Sequence, residues 1–212
     1  MKLVDRIREA IFAGELAPNQ RLIEADLCEQ LGASRSHVRN ALAELVSEGL
    51  VERTPHRGAR VRAITLAEAI EFTEVRMVVE GLCAAKAAAR ITDDEAGRLR
   101  AVGDRMRGHV ASGDLLGYSE ANKELHAFVR LISGQTAAGE IIERIRGNLA
   151  RYQVRLAFQP GRAAASLPQH LDVIEAICDR DEERAEAAMR AHLRSVIDAL
   201  ESTGSAPPGM TT

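Results

Sequence analysis

Four side chains in the second half of the sequence have the types and spacing of a metal site. Asn122 and His126 stand four apart in a helical pattern and so share one helix face. His170 falls in the first turn of a later helical segment, as the pattern reads, and His192 falls within the last one. Three imidazoles on three helices of a bundle can converge inside it, which is how bundles build metal sites. Neutral imidazole suits a divalent ion, zinc or nickel foremost, with copper and iron within the same chemistry. A histidine on a helix is also commonly a satisfied surface or core residue, so spacing alone leaves both readings open. A second group, near the N-terminus, has the chemistry of a DNA contact. Arg35 and Arg39 are four apart and project from one face, each able to offer two parallel donors to guanine or a fork to phosphate. Ser34 and Ser36 add hydroxyls beside the free N–H groups of a helix start. His56 and Arg57 lie in a turn whose Gly58 lets backbone approach a sugar-phosphate chain.

The elements that must position these residues can be read from periodicity and punctuation. Leu3, Ile7, Ala10 and Ile11 predict a first helix ending near Gly14, and residues 24–31 a second, stopped by Gly32. Ser34 is a good N-cap for a third helix, with Val38, Leu42, Leu45 and Val46 on its inner face. Residues 50–53 and 59–61 read as two strands joined by a Pro/Gly turn. Three short helices and a hairpin are the order of a winged helix-turn-helix, with residues 34–47 as the recognition helix. Residues 33–62 carry six arginines against three glutamates, a local surplus of positive charge in a chain whose net charge is −3. Solvated basic faces and genomic preference for arginine are the bland alternatives, since the chain has only three lysines, Lys2, Lys86 and Lys123.

From residue 65 onward the pattern is helical throughout. Capping boxes are expected at Thr65, Thr92 and Ser166, and Asp181 is expected to cap the last helix. Helices are expected over 115–132, 138–158, 167–178 and 182–201, with 159–165 as the longest loop. The fold class is therefore mainly α, an N-terminal winged helix-turn-helix followed by an all-α bundle. The expected domains are 1–64 for DNA binding and 65–203 for effector binding and dimerisation, with 204–212 as a flexible tail. His109 is read as a surface residue, and Cys83 and Cys178 as core.

Composition excludes several classes. Aromatic residues are 3% of 212, with no Trp, which provides poorly for stacking on single strands. The net charge argues against a whole-chain polyanion binder. Three scattered cysteines give neither a disulfide framework nor a zinc ribbon. No apolar run approaches the roughly 20 residues that span a bilayer. The charged opening residues 1–6 lack a signal-peptide stretch, so a cytoplasmic protein with no membrane partner is expected.

The first domain resembles the GntR family of bacterial transcription regulators. The resemblance runs through residues 11–18, 22–24, 31–35, 38–42, Leu45, 48–51 and 57–61. It implies that Arg35 and Arg39 contact bases and that the wing tip near Arg57 and Gly58 enters the minor groove. His37, where the family has Pro or Thr, and Asn40, where it has Glu, lie where operator preference is set; Asn19 replaces the family's Gly. The helical half resembles the FCD ligand-binding domain of the FadR-type branch, in its shorter, VanR-like, six-helix form. The residues carrying this are 74–76 with Glu80, 122–126, His170, Ile174, 176–177, 188–189 and 192–193. The resemblance implies an Asp and three His as metal ligands. His126, His170 and His192 match, and Asn122 stands where Asp is usual, an oxygen ligand without charge, which lowers affinity or changes metal preference. An open coordination position would suit a small carboxylic acid effector. Arg76 can pair with its carboxylate, or form an ion pair with Glu80 four residues on. The function so implied is a ligand-responsive regulator, a repressor in most of the family, that binds a palindromic double-stranded DNA operator as a homodimer and is not an enzyme. A metal-sensing regulator, or a helical metalloenzyme using the histidine cluster, are the alternatives.

Overall fold

A computed structural model describes residues 2–54 and 58–204. In the N-terminal part, helix α1 (Leu3–Phe12) buries Val4, Ile7 and Ile11. Helix α2 (Glu24–Leu31) closes on Gly32, whose φ of 62° is the left-handed conformation that glycine adopts without strain. Helix α3 (Arg35–Ser47) starts at Ser34, whose Oγ accepts the His37 backbone N–H, the N-cap that the serine type predicts. Its buried Val38, Ala41, Leu42 and Leu45 recur at helical spacing and pack into one core with α1, Leu27 and the hairpin's Val51, Ala59 and Val61.

The hairpin is β2 (Val51–Thr54) and β3 (Gly58–Val61), paired antiparallel with Val51 opposite Val61 and Arg53 opposite Ala59. Sequence pattern missed a third strand, β1 (Arg21–Leu22), which pairs with β3 so that the sheet order is β1-β3-β2. Two residues are too short for an alternation to register. His56 and Arg57 of the hairpin tip lie outside the described residues.

The rest is helical: α4 (Leu66–Arg90), α5 (Asp93–Ser112), α6 (Leu115–Ser133), α7 (Thr136–Ala157), α8 (Arg162–Cys178) and α9 (Glu182–Gly204). Thr92 forms the expected capping box with Glu95, and Asp181 accepts from the Arg184 N–H at the start of α9. The alanine-rich second half of α4 buries Cys83, Ala84, Ala87 and Ala88 in a core shared with α5, α6, α8 and α9. Small side chains allow close approach there. A Cβ on Gly81 would stand 3.0 Å from Arg190 Cγ of α9. The chain divides into two compact units, residues 1–65 with 143–151, and residues 66–142 with 152–212. No helix among the described residues is long and apolar enough to cross a membrane.

Two expectations are corrected. Helix α8 begins at Arg162, five residues earlier than expected, so Ser166 does not cap it and the loop shrinks to 158–161. Gly161, at φ 77°, turns the chain into the helix, and Ala163, Ala164 and Ala165 are strong helix formers. Pro168 sits inside the helix and costs one backbone donor. His170 is therefore mid-helix rather than in the first turn. His109 lies at the surface as expected, and its Nδ1 lies 2.9 Å from Asp114 Oδ2.

Candidate metal centre and nucleic-acid interface

The three histidines of the helical part meet. His126 of α6, His170 of α8 and His192 of α9 are all buried, with candidate ligand atoms within 4.8 Å of one another. Ring centroids are 5.8 Å apart for His126 and His170, 5.4 Å for His126 and His192, and 4.1 Å for His170 and His192.

Each imidazole has its Nδ1 held by an outer partner. His126 Nδ1 lies 2.5 Å from Glu80 Oε2 on α4. Burial alone would raise the Glu80 pKa, but the charges of Arg76 and His126 outweigh it and hold the carboxyl well below its ordinary range. The carboxylate therefore accepts, and Nδ1 of His126 carries the proton. His192 Nδ1 donates to Gln169 Oε1 at 3.2 Å. His170 Nδ1 lies 2.9 Å from the Tyr118 hydroxyl, which lies 2.7 Å from Ser166 Oγ, and Ser166 Oγ donates to the Ala163 carbonyl at 3.3 Å. That direction makes Tyr118 donate to Ser166 and accept from His170. The nitrogen left free on every ring is Nε2. This is how ligating histidines are oriented, with the outer bond fixing the tautomer.

Two buried polar atoms at this site have no hydrogen-bond partner, His170 Nε2 and Asn122 Oδ1. Asn122 stands one turn before His126 on the same face of α6. A buried acceptor without a donor costs about 1–3 kcal/mol, so two together mark a place built for something that accepts their lone pairs. Burial first, then the neighbouring cationic and imidazole groups, push His170 and His192 well below their ordinary pKa. Neutral nitrogens are what a divalent ion requires. The donor set fits such an ion.

Arg76 takes the second of its two expected roles. Its Nε and Nη2 bond Glu80 Oε1 at 2.9 and 2.8 Å, and both side chains are buried. Glu80 thus serves Arg76 with one oxygen and His126 with the other. Sequence reasoning paired Glu80 with Arg76 but missed its bond to His126, and missed Tyr118, Ser166 and Gln169 altogether. The available signal was a pair of stripes at i, i+4, i+8: Tyr118–Asn122–His126 and Arg162–Ser166–His170.

In the N-terminal part, Ser34 Oγ lies 2.9 Å from Ser36 Oγ and 3.0 Å from His37 Nδ1, so the three polar groups gather at the start of α3. Arg35 is exposed and has no side-chain partner among the described residues. Arg39, 63% exposed, is paired with Glu24 of α2 at 2.8 Å. Such an exposed pair is worth little and yields readily to phosphate or guanine. Gly58, with φ 83°, opens β3 beside the tip.

Comparison with known proteins adds two family matches. Residues 1–61 match the model described as bacterial regulatory proteins, gntR family, and residues 71–195 match the FCD domain. The chain is 26% identical over 194 residues to the HTH-type transcriptional repressor RspR of Escherichia coli, covering 92% of this chain and 85% of that one. It is 27% identical over 202 residues to a probable D-xylose utilization operon transcriptional repressor of Paenarthrobacter nicotinovorans, with the same coverages. Its fold is similar to that of the solved structure of Escherichia coli McbR/YncC, at 20% identity and a TM-score of 0.79, covering 96% of this chain and 97% of that one.

Proposed function

The chain belongs to the gntR family of bacterial regulatory proteins and carries an FCD domain, a class of transcription regulators and not enzymes, and on that premise we propose a ligand-responsive repressor. It acts in the cytoplasm as a homodimer on a palindromic operator, with residues 1–64 reading DNA and 65–203 binding effector and partner. Ser34, Arg35, Ser36, His37 and Arg39 face the major groove, and His56, Arg57 and Gly58 the adjoining backbone. His126, His170 and His192 hold a divalent ion, zinc or nickel, with Asn122 Oδ1 as a neutral fourth donor. When bound, the ion supplies a Lewis-acidic position for one oxygen of a small carboxylic acid.

The observation that carries this reading is the pairing of three outward-anchored Nδ1 atoms with unpartnered inner acceptors, His170 Nε2 and Asn122 Oδ1. Dimerisation finds support on α4, where Val75, Val78 and Leu82 are 48%, 53% and 43% exposed along one stripe. An antiparallel pairing of two such helices with Val75 opposite Leu82 sets Glu71 opposite Lys86, and neither has a partner among the described residues. The stripe is thus apolar in the middle and self-complementary in charge at its ends.

Selection of binding sites from random duplexes, followed by fluorescence anisotropy with zinc, chelator and carboxylic acids added separately, tests the proposal. Selected sites should be two-fold symmetric, and operator affinity should change with acid only when zinc is present. Affinity that follows zinc alone would make the ion itself the signal. Absence of any sequence preference would refute the DNA reading.

A further inference from the structure

Arg76 was the natural partner for an effector carboxylate, but Glu80 occupies it. Another guanidinium stands nearer to the need. Arg162, the first residue of α8, precedes His170 by eight residues, about 12 Å along the axis, on the stripe that also carries Ser166. Its side chain turns back toward the histidines. Nη1 donates to Ser195 Oγ of α9 at 2.8 Å, and Ser195 is only three residues beyond His192, about 4.5 Å along that helix. Because His170 and His192 are themselves in ring contact at 4.1 Å, the guanidinium stands about one turn from the triad.

Among the described residues no carboxylate forms an ion pair with Arg162. Its side chain is half-buried and its hydrogen bond is to a neutral hydroxyl. The buried Tyr118 hydroxyl and the exposed Asp198 carboxylate act on it through space, without an ion pair. Burial pulls its pKa down, and its charge in turn helps to lower those of His170 and His192. A partly desolvated guanidinium with spare donors and no carboxylate is costly unless an anion arrives. Arg76, by contrast, has its charge met.

We propose that Arg162 is the residue that recognises the effector's anionic end, about one turn from the histidine triad. The inference rests on the carboxylic acid reading above and specifies it. A monocarboxylate would engage the histidine site alone, whereas a molecule with a second anionic group about one helical turn away would meet Arg162 as well. The favoured class is therefore a dicarboxylate or tricarboxylate.

The test uses the full chain loaded with zinc, with acetate, malonate and citrate as probes in calorimetric titration and thermal melting. Wild type should bind citrate more tightly than acetate. Arg162→Met should lose about tenfold or more of the citrate affinity, the loss expected for a hydrogen bond to a charged group, and keep its zinc affinity within about twofold. Arg162→Lys, which retains charge without the fork, should fall between them. A purely structural arginine would lower the melting temperature without acid. Arg162→Met should instead melt at or above the wild-type temperature in the absence of acid, since an uncompensated charge has been removed. Equal citrate binding by wild type and Arg162→Met overturns the assignment of Arg162 and leaves the acid reading standing. Failure of the zinc-loaded wild type to bind any of the three acids overturns that reading, and this inference with it.

Discussion

Replacing Glu80 by glutamine removes one charge from a place where two residues depend on it. The Arg76 and Glu80 side chains are 9% and 2% exposed, so the arginine left behind cannot turn to solvent. Breaking a buried pair from one side costs about 3–5 kcal/mol, because the remaining charge is uncompensated. At about 2–4 °C per kcal/mol for a chain of this size, the melting temperature should fall by roughly 6–20 °C. The second effect is on His126. Glutamine can still accept from Nδ1, but without charge it no longer raises the basicity of Nε2, and zinc affinity should fall about 10- to 100-fold. Arg76→Met combined with Glu80→Gln separates the two effects. Removing both charges while keeping an acceptor for His126 Nδ1 should be close to neutral for stability, while the loss of zinc affinity remains. Differential scanning fluorimetry and competition with a zinc chelator measure both. A Glu80→Gln protein that melts within about 2 °C of wild type and keeps its zinc affinity would refute the shared-carboxylate argument.

Other consequences can be measured as directly. Arg35→Ala and Arg39→Ala should each cost about 1–3 kcal/mol of binding to a selected operator, read by anisotropy; unchanged affinity in both would remove α3 from the groove. Val78→Glu should convert the dimer to monomer in light scattering at micromolar concentration, because it places like charges at the centre of the α4 pairing; a dimer that survives it has its interface elsewhere. His170 and His192 are held below the ordinary imidazole pKa of about 6.5, so below that pH the unfolded chain binds protons that the folded chain refuses. Their contribution to metal-free stability is therefore fully present above that value and is lost on acidification, by up to about 1.4 kcal/mol per pH unit for each histidine. Urea midpoints measured from pH 8 to pH 5 should fall, and a midpoint that rises on acidification would contradict the burial of neutral rings.

Much of the architecture is legible because helices repeat. The boundaries of α2 and α5 follow from Gly32 and from the Thr92 capping box, both local signals that the chain honours. The start of α8 was misread because Ser166-Leu167-Pro168-Gln169 has the look of a cap, and nothing local says that Ser166 is instead committed to Tyr118 on another helix. The same limit governs the site. Three histidines stand out in a sequence that has six, and their meeting follows from a bundle. Their outer partners do not stand out, because tyrosine, serine, glutamine and glutamate are ordinary on helices and become specific only through contacts 23 to 52 residues apart in sequence. Arg162 was hidden by the misplaced helix start, which put it in a loop and off the His170 stripe.

The charge balance of the pocket links these separate assignments. Arg76 and Glu80 cancel, and imidazole nitrogens and the Asn122 amide bring no negative charge, so the chain offers a divalent ion no countercharge of its own among the direct donors. Arg162 adds a further positive charge one turn away. An aspartate at position 122 would answer part of this, favouring the ion and weakening attraction for an anionic effector. With asparagine there, the proposed ion would be held less tightly and the proposed acid would be the main source of negative charge. Affinities for ion and acid would then be coupled, each raising the other by the same factor, because the linkage between two ligands is reciprocal. On the proposed reading a neutral fourth ligand would make occupancy of the site depend on both ligands together, the behaviour of a sensor for the acid in the presence of the metal rather than for the metal alone.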